Sequence, residues 1–170
     1  DWGGLHGRTE ATGYGIVYFA ECMLKAHGED FKGKKVAISG FGNVSWGTAS
    51  KLEELGAIPI TISGPDGYIL DEEGVLGEKI DYLLELRASG KNICKPYADK
   101  FKSAKFIEGK KPWEVKADMY IPCATQNEIL IDDAKAIVAS GAKYVCEGSN
   151  MSSSNEAIEY MLNNGIILGP

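Results

Sequence analysis

The most constraining feature of this sequence is a short apolar run that ends in two closely spaced glycines. The β-prone residues 36–39 lead into Gly40-Phe41-Gly42, and a helix-compatible segment begins at Asn43. This strand, turn and helix order is typical of the first unit of a dinucleotide-binding fold. We expect Gly40 to allow a tight turn. We expect Gly42, which has no Cβ, to let the backbone approach a diphosphate closely.

The same glycines have a plainer interpretation as a structural turn. The third position of the motif is Ser45, which is small but is not glycine. A small residue there still permits close packing of helix on strand. The free N–H groups and the dipole of the following helix favour an anion, so a nucleotide site is the stronger interpretation.

Length and charge exclude several classes of protein. A chain of 170 residues is typical of one domain, and its net charge of −6 comes with no basic run longer than a lysine pair. Nucleic-acid binding is therefore disfavoured, because phosphate backbones require clustered Lys and Arg. No apolar run reaches the roughly 18 to 20 residues of a membrane span, and no signal peptide opens the chain.

The cysteines and histidines predict a cytoplasmic protein without a metal site. Cys22, Cys94, Cys123 and Cys146 are far apart and form no C-x-x-C motif, so we interpret them as reduced, buried thiols. The two histidines lie close in sequence to none of them. The chain starts without Met inside a glycine-rich stretch and stops after an apolar strand. We expect it to be one domain of a longer protein.

Strands and helices alternate along the chain. Helices are predicted over 9–25, 43–55, 77–89, 98–101, 132–140 and 154–162, with caps at Thr9, Asn43, Asp132 or Asp133, and Ser154. Strands are predicted over 34–39, 57–63, 68–70, 104–107, 117–122, 144–147 and 165–168, and a loop at 112–113. The pattern predicts an α/β fold, Rossmann-like and doubly wound, with a mainly parallel sheet and helices on both faces.

Ligands of such sheets lie outside the carboxyl ends of the strands. The segments 40–43, 63–66, 123–127 and 148–150 follow four of the predicted strands and carry small or amide residues. Amides both donate and accept hydrogen bonds, which suits ribose hydroxyls and a carboxamide. Helix capping is the alternative for each loop taken alone.

The second predicted strand bears on the choice of coenzyme. NAD sites place an acidic residue at its end, about 20 residues after the glycines. Ser63 and Gly64 occupy that position here and Asp66 follows, while no Arg or Lys lies between Glu53 and Lys79. The absence of a cation for a 2′-phosphate favours NAD over NADP.

Two glycines, Gly13 and Gly15, fall inside the first predicted helix, where each costs about 1 kcal/mol relative to Ala. We interpret them as a place where a cofactor or a neighbouring domain approaches the backbone. Tight packing against another helix is the alternative.

Taken together, the motifs resemble those of the hexameric glutamate dehydrogenases over essentially the whole chain and in the family's order. The segments that carry the resemblance are Arg8-Thr9-Glu10-Ala11-Thr12-Gly13-Tyr14-Gly15, Gly40-Phe41-Gly42-Asn43-Val44, Pro122-Cys123-Ala124-Thr125-Gln126-Asn127 and Glu147-Gly148-Ser149-Asn150-Met151. The segment 63–68, Ser-Gly-Pro-Asp-Gly-Tyr, is similar to the NAD-preferring clostridial branch.

The resemblance implies that residues 1–170 are the dinucleotide-binding domain of a larger two-domain enzyme. That enzyme would convert L-glutamate, NAD and water to 2-oxoglutarate, ammonia and NADH. The cofactor-binding residues that the coenzyme argument and the resemblance together predict are Thr12, Gly40, Gly42, Asn43, Val44, Ser63, Asp66, Ala124, Thr125, Gln126 and Asn150. By the resemblance, Gly42 and the amide of Val44 would face the diphosphate, and Asn150 would meet the nicotinamide side.

The resemblance also implies what this chain lacks. The family's catalytic lysine and aspartate belong to an upstream substrate domain, so no catalytic residue is assigned here and the chain alone is expected to be inactive. The parent would be a homohexamer and the isolated domain a monomer. The alternatives are a folded fragment without measurable cofactor binding, an NADP-preferring enzyme, a nucleotide-sensing regulatory module and an S-adenosylmethionine methyltransferase.

Overall fold

A computed structural model of the protein describes residues 4–124, 128–147 and 152–169, with side chains from residue 12 onward. Its helices are α1 (Gly4–Ala26), α2 (Asn43–Glu54), α3 (Glu78–Ala88), α4 (Lys95–Lys100), α5 (Ile131–Ala139) and α6 (Asn155–Asn163). Its strands are β1 (Lys35–Ile38), β2 (Ile58–Pro59), β3 (Thr61–Gly64), β4 (Gly67–Asp71), β5 (Ala104–Glu108), β6 (Met119–Ile121), β7 (Tyr144–Cys146) and β8 (Ile167–Gly169). A short 3-10 helix covers Pro112–Glu114, where a loop is predicted.

The larger sheet is parallel throughout, with strand order β2-β1-β6-β7-β8. This confirms the predicted α/β class and the mainly parallel sheet. Side chains along β1 alternate between two core clusters: Val36 and Ile38 belong to one, and Ala37 belongs to the other. The same alternation occurs on β6, where Tyr120 points opposite to its neighbours. Both faces of the sheet are therefore covered, which explains why the strands are apolar without interruption.

The helices divide between these two clusters. The first cluster contains buried residues of α1, α2, α3 and α4, among them Leu24, Leu52 and Leu83. The second contains buried residues of α5 and α6, among them Ile137 and Met161. Each helix buries one face against the sheet, and this apolar burial supplies most of the stabilisation of such short helices.

The predicted strand 57–63 is wrong as a single element. Its first half, β2, pairs with β1, whereas β3 turns away into a separate antiparallel sheet of order β3-β4-β5. The hydroxyl of Thr61 explains the divergence, because it accepts from the Ile38 N–H at 2.9 Å and donates to the Ile38 carbonyl at 2.7 Å. A side chain thus satisfies the backbone of β1, and the backbone of β3 is left to pair with β4.

Several predicted helix caps are misplaced. Thr9 lies inside α1, which already begins at Gly4 and packs along α2. Asn43 is the first residue of α2, and Gly42, with an extended backbone at φ −167°, takes the N-cap position. At α5 the N-cap is Leu130, and Asp133 accepts from its N–H at 3.0 Å from within the first turn. The predicted cap of α6 is confirmed, since the Ser154 hydroxyl accepts from the Ala157 N–H at 3.2 Å.

The interpretation of Gly13 as a point of cofactor approach is wrong. A Cβ at Gly13 would lie 2.7 Å from the Thr48 nitrogen and 2.9 Å from the Val44 carbonyl oxygen, both in the backbone of α2. Close packing of the two helices, the alternative interpretation, therefore accounts for this glycine. Gly15 differs, because a Cβ there would meet nothing within 4 Å.

A buried carboxylate joins the smaller sheet to the helices that cover it. Asp71 is fully buried and accepts from the Tyr97 hydroxyl at 2.7 Å and from Lys79 Nζ at 2.9 Å. Burial alone raises the pKa of Asp71, but the hydrogen bonds from Tyr97, Lys79 and Ser103 lower it more, and the net pKa lies below its usual value. The ionised group thus ties β4 to α3 and α4. Within the described residues, no helix is long and apolar enough to cross a bilayer.

Candidate functional site

The carboxyl ends of β1, β3 and β6 open onto the largest described concave surface near the glycine motif. A cavity of about 400 Å³ lies there, lined by Gly40, Phe41, Ser63, Gly64, Pro65, Arg87, Asn92, Lys111, Ala124 and Glu128. A second cleft of about 290 Å³ adjoins it, lined by residues 40–45, Arg87, Cys123 and Ala124. The predicted convergence of the loops after these strands is therefore present, and the sheet edge is where α/β proteins bind ligands.

Gly40 is required by both conformation and space. Its φ is +99°, a region that favours glycine, and a Cβ there would lie 2.5 Å from Ser45 Oγ and 3.3 Å from the Cys123 carbonyl oxygen. Ser45 is buried, and its hydroxyl donates to the Ser39 carbonyl at 3.0 Å. The serine at the third motif position thus packs the helix against the strand and also fixes the end of β1.

Hydroxyl groups hold the neighbouring strand ends to the glycine turn. The Gly40 N–H donates to Ser63 Oγ at 2.8 Å, and the Cys123 N–H donates to Ser39 Oγ at 2.9 Å. Ser63 is buried, and it also lines the cavity. These bonds connect β3, β1 and β6 at the rim, so the turn is anchored from both sides.

The cleft at the start of α2 has the form that the motif predicts. Asn43 and Val44 begin the helix and line the cleft with Gly42, whose carbonyl oxygen accepts from the Trp46 N–H at 2.9 Å. The side chains of Asn43 and Val44 are half-buried. The N–H groups of a first helical turn have no partners within the helix, which makes this end suitable for an anion.

Asp66 lies beside the cavity with its carboxylate bound to backbone. Its oxygens accept from the Cys94 N–H at 2.9 and 3.0 Å and from the Lys95 N–H at 3.0 Å. In this position it holds the first turn of α4 and the bend between β3 and β4. The structure thus gives Asp66 a structural role, and its contact with a ribose stays a prediction.

Two cations line the cavity that the sequence reasoning missed. Arg87, in the last turn of α3, donates from Nη1 to the Phe41 carbonyl, and its guanidinium lies 3.7 Å from where a Cβ on Gly42 would be. Lys111 donates from Nζ to the Glu128 carbonyl at 3.3 Å. The argument that no cation follows the second strand holds for the sequence interval 53–79 but not for the cavity. No sequence signal marks Arg87, which is separated from the glycine turn by more than 40 residues.

An acidic side chain at the rim was also missed. Glu128 is buried, lines the cavity, and accepts from the Ala124 N–H at 3.2 Å. Ala124 itself lines both the cavity and the cleft, as predicted for a coenzyme contact. Thr125, Gln126 and Asn150 lie outside the described residues. Thr12 is exposed on α1 and is not among the described residues that line either space.

The thiols near the cleft are not nucleophiles. Burial raises the pKa of Cys123 to about 12 and that of Cys146 to about 12, and it also raises the pKa of Cys94. These three cysteines are protonated at neutral pH, as expected for buried thiols. Cys22 is exposed, so the prediction of burial is wrong for this residue. It lies on the solvent side of α1, which the sequence pattern did not distinguish.

The described residues fit a dinucleotide better than a metal ion. Within ranges 4–124, 128–147 and 152–169, no group of three or more His, Cys, Asp or Glu side chains could hold a metal. The glycine turn instead provides backbone N–H groups, an adjacent guanidinium and space where side chains are absent. These are the groups that bind phosphate oxygens.

Comparisons with known proteins agree with this geometry. The chain is 55% identical over 170 residues to an NAD-specific glutamate dehydrogenase of Bacteroides fragilis, covering 100% of the chain and 38% of that protein. It is 42% identical over 169 residues to an NADP-specific glutamate dehydrogenase of Haemophilus influenzae, covering 99% of the chain and 37% of that protein. A solved glutamate dehydrogenase structure superposes with a TM-score of 0.92 at 50% identity, over 96% of this chain and 36% of that one.

The chain therefore spans less than two fifths of the length of these relatives. A family model described as Glutamate/Leucine/Phenylalanine/Valine dehydrogenase matches residues 3–170. A match of that extent leaves almost no residue outside the family pattern, and it includes the glycine turn and all three strand ends that form the cavity. The chain belongs to the Glutamate/Leucine/Phenylalanine/Valine dehydrogenase family.

Proposed function

We propose that this chain is the coenzyme-binding domain of an NAD-dependent glutamate dehydrogenase, with a Rossmann-like, doubly wound fold. The observation that carries the proposal is the glycine turn at the sheet edge, where Gly42 lies beside the Arg87 guanidinium and opens onto the 400 Å³ cavity. The division of the apolar core between the two faces of the parallel sheet supports the fold assignment.

The residues of the site would act by binding and orienting the coenzyme. The backbone of Gly42 and Val44 would hold the diphosphate at the N-terminus of α2, and Arg87 would neutralise its charge. Ser63 and Ala124 would shape the adenosine side, together with Thr125 and Gln126. When bound, NAD supplies a hydride acceptor for the oxidation of L-glutamate to 2-oxoglutarate and ammonia.

The preference for NAD rests on the similarity to NAD-specific relatives at 48% to 55% identity. A second candidate, an NADP-preferring enzyme, is favoured by one observation. Arg87 and Lys111 line the same cavity as Ser63 and Pro65, where the adenosine ribose is expected, so cations for a 2′-phosphate are at hand.

No catalytic residue is assigned to this chain, because the family's lysine and aspartate are expected in a separate substrate domain. We therefore propose that the chain binds coenzyme without turning over glutamate, in a cytoplasmic parent enzyme that is a homohexamer. Monomeric behaviour of the isolated chain completes this proposal.

The test is a calorimetric titration of NAD⁺ and NADP⁺ into the wild-type protein and into Gly42→Val and Gly15→Val variants. Valine at Gly42 would project toward the Arg87 guanidinium in the cleft, whereas valine at Gly15 meets open space. NAD⁺ binding that Gly42→Val abolishes and Gly15→Val retains is the expected result.

Other outcomes distinguish the alternatives. Tighter binding of NADP⁺ would establish the second candidate, and loss of that preference in Arg87→Gln would identify the residue that causes it. Binding of neither coenzyme, with a cooperative melt intact, would refute the proposed function for this chain.

A further inference from the structure

Two glutamates close the loops that follow β6 and β7, and they do so in the same way. Glu128 is 1% exposed, and its Oε1 accepts from the Ala124 N–H at 3.2 Å. Glu147 is half-buried, and its Oε2 accepts from the Ser153 N–H at 3.0 Å. Each side chain joins the two ends of its own loop through a hydrogen bond from a backbone N–H to a carboxylate, which is stronger than one between neutral groups.

The two loops are also joined to each other. Ile129 and Ser153 form a parallel bridge beyond the ends of the strands. The Ile129 N–H donates to the Ser152 carbonyl at 2.9 Å, and the Ser154 N–H donates to the Ile129 carbonyl at 3.0 Å. Ile129 and Ser152 are fully buried, so breaking these bonds would leave backbone groups without water as a substitute.

The pairing of β6 with β7 therefore resumes after both chains have left the sheet. β6 ends at Ile121 and β7 at Cys146, and the bridge lies 8 and 7 residues further along the respective chains. Between the strand ends and the bridge lie Ala124, which contacts the cavity, and the predicted coenzyme residues of both loops. The order Glu128, Ile129 on one chain and Glu147, Ser153 on the other forms one continuous set of hydrogen bonds at the rim.

We propose that Glu128 and Glu147 are positioning residues that make the two loops a single cooperative unit, so that coenzyme affinity depends on both carboxylates together. The inference rests on the proposed function. Glu128 acts directly, since it holds Ala124 and lines the cavity. Glu147 is not among the described residues that line the cavity, and its effect must pass through the bridge at Ile129.

The first test needs no ligand. Amide hydrogen exchange is measured for wild type, Glu147→Ala and Glu147→Gln, with Glu156→Ala as the control. Glutamine keeps a carbonyl oxygen that can accept from Ser153, whereas alanine does not. Glu156 is an exposed carboxylate in the first turn of α6.

We expect Glu147→Ala to accelerate exchange at Ser153 and also at Ile129 and Ala124, across the bridge. Glu147→Gln and Glu156→Ala should exchange as wild type does. Acceleration confined to Ser153 and its neighbours in the same loop would overturn the coupling. If Glu147→Ala does not fold, Glu147→Asp, which shortens the side chain by one methylene, is read in the same way.

The second test measures NAD⁺ affinity in Glu128→Ala, Glu147→Ala and the double variant. Each single change is expected to weaken binding by about tenfold, and the double change by about tenfold as well, because one opened unit cannot be opened twice. Independent loops would instead give a loss of about a hundredfold in the double variant, and that result would refute the inference.

The two tests separate failure of the inference from failure of the proposed function. If the wild-type protein does not bind NAD⁺, the proposed function is wrong, and hydrogen exchange still decides whether the loops are coupled. If NAD⁺ binds and the losses multiply, the proposed function stands and the coupling is refuted.

Discussion

Gly13→Ala is expected to destabilise the protein, although alanine is the better helix former. The new Cβ would lie 2.7 Å from the Thr48 nitrogen and 2.9 Å from the Gly47 carbonyl carbon. Overpacking of this kind costs about 1 to 3 kcal/mol, and backbone atoms cannot rotate away, so we take about 3 kcal/mol. The helix preference of alanine offsets about 1 kcal/mol. The net loss is therefore about 2 kcal/mol.

Gly15→Ala is the matched control, in the same helix and two residues along. A Cβ at Gly15 meets nothing within 4 Å, so only the helix preference remains, a gain of about 1 kcal/mol at most. The two variants should therefore differ by about 3 kcal/mol. For a protein of this size each kcal/mol shifts Tm by about 2 to 4 °C, which predicts a separation of about 6 to 12 °C.

Thermal and urea denaturation of wild type and both variants measure this separation. The displaced α2 should also weaken NAD⁺ binding in Gly13→Ala alone, since the first turn of that helix lines the cleft. If Gly13→Ala melts at or above the wild-type temperature, or if both variants shift in the same direction, the helix contact is not as close as the structure shows.

Two further perturbations test the charged contacts. Asp71→Asn should lower the free energy of unfolding by about 3 kcal/mol by urea denaturation, because breaking a buried pair leaves Lys79 without its counter-charge; a loss under about 1 kcal/mol would contradict this. The hydrogen bond from Tyr144 lowers the pKa of Glu29 from 4.5 to about 2. Its contribution to stability is therefore present above pH 4.5 and lost as pH falls from 4.5 towards 2, so Glu29→Gln should melt lower than wild type at pH 7 and nearly equal to it at pH 2. A constant difference between those pH values would exclude this linkage.

The sequence predicts well those elements whose signal is local. The α6 cap at Ser154 is confirmed because a serine hydroxyl needs only the next three residues to find its N–H partner. The core strands β1, β6 and β7 are confirmed because both of their faces are buried, which requires continuous apolar runs. The positive φ of Gly40 follows from its place in the turn.

The errors arise where a distant group decides the local structure. The strand predicted over 57–63 divides because the Thr61 hydroxyl bonds to Ile38, 23 residues earlier. Gly13 is explained by backbone more than 30 residues further along the chain. Neither contact leaves a pattern in the neighbouring sequence.

The candidate site divides along the same line. Gly40, Gly42 and the first turn of α2 are contiguous in sequence, and the structure brings them together as the motif predicts. Arg87 and Lys111 arrive from separate elements, and they change the electrostatic argument, since a cavity with two cations does not exclude a 2′-phosphate by charge alone.

Discrimination between NAD and NADP must then depend on geometry at the end of β3 rather than on the mere presence of a positive side chain. There the Asp66 carboxylate is held by the N–H groups of Cys94 and Lys95, so its negative charge stays fixed beside Gly64 and Pro65, which line the cavity. A fixed carboxylate opposes a second anion nearby even when it makes no contact with the ribose. The structural role of Asp66 and its predicted role in coenzyme choice are therefore compatible, because the bonds that hold the turn also hold the charge in place.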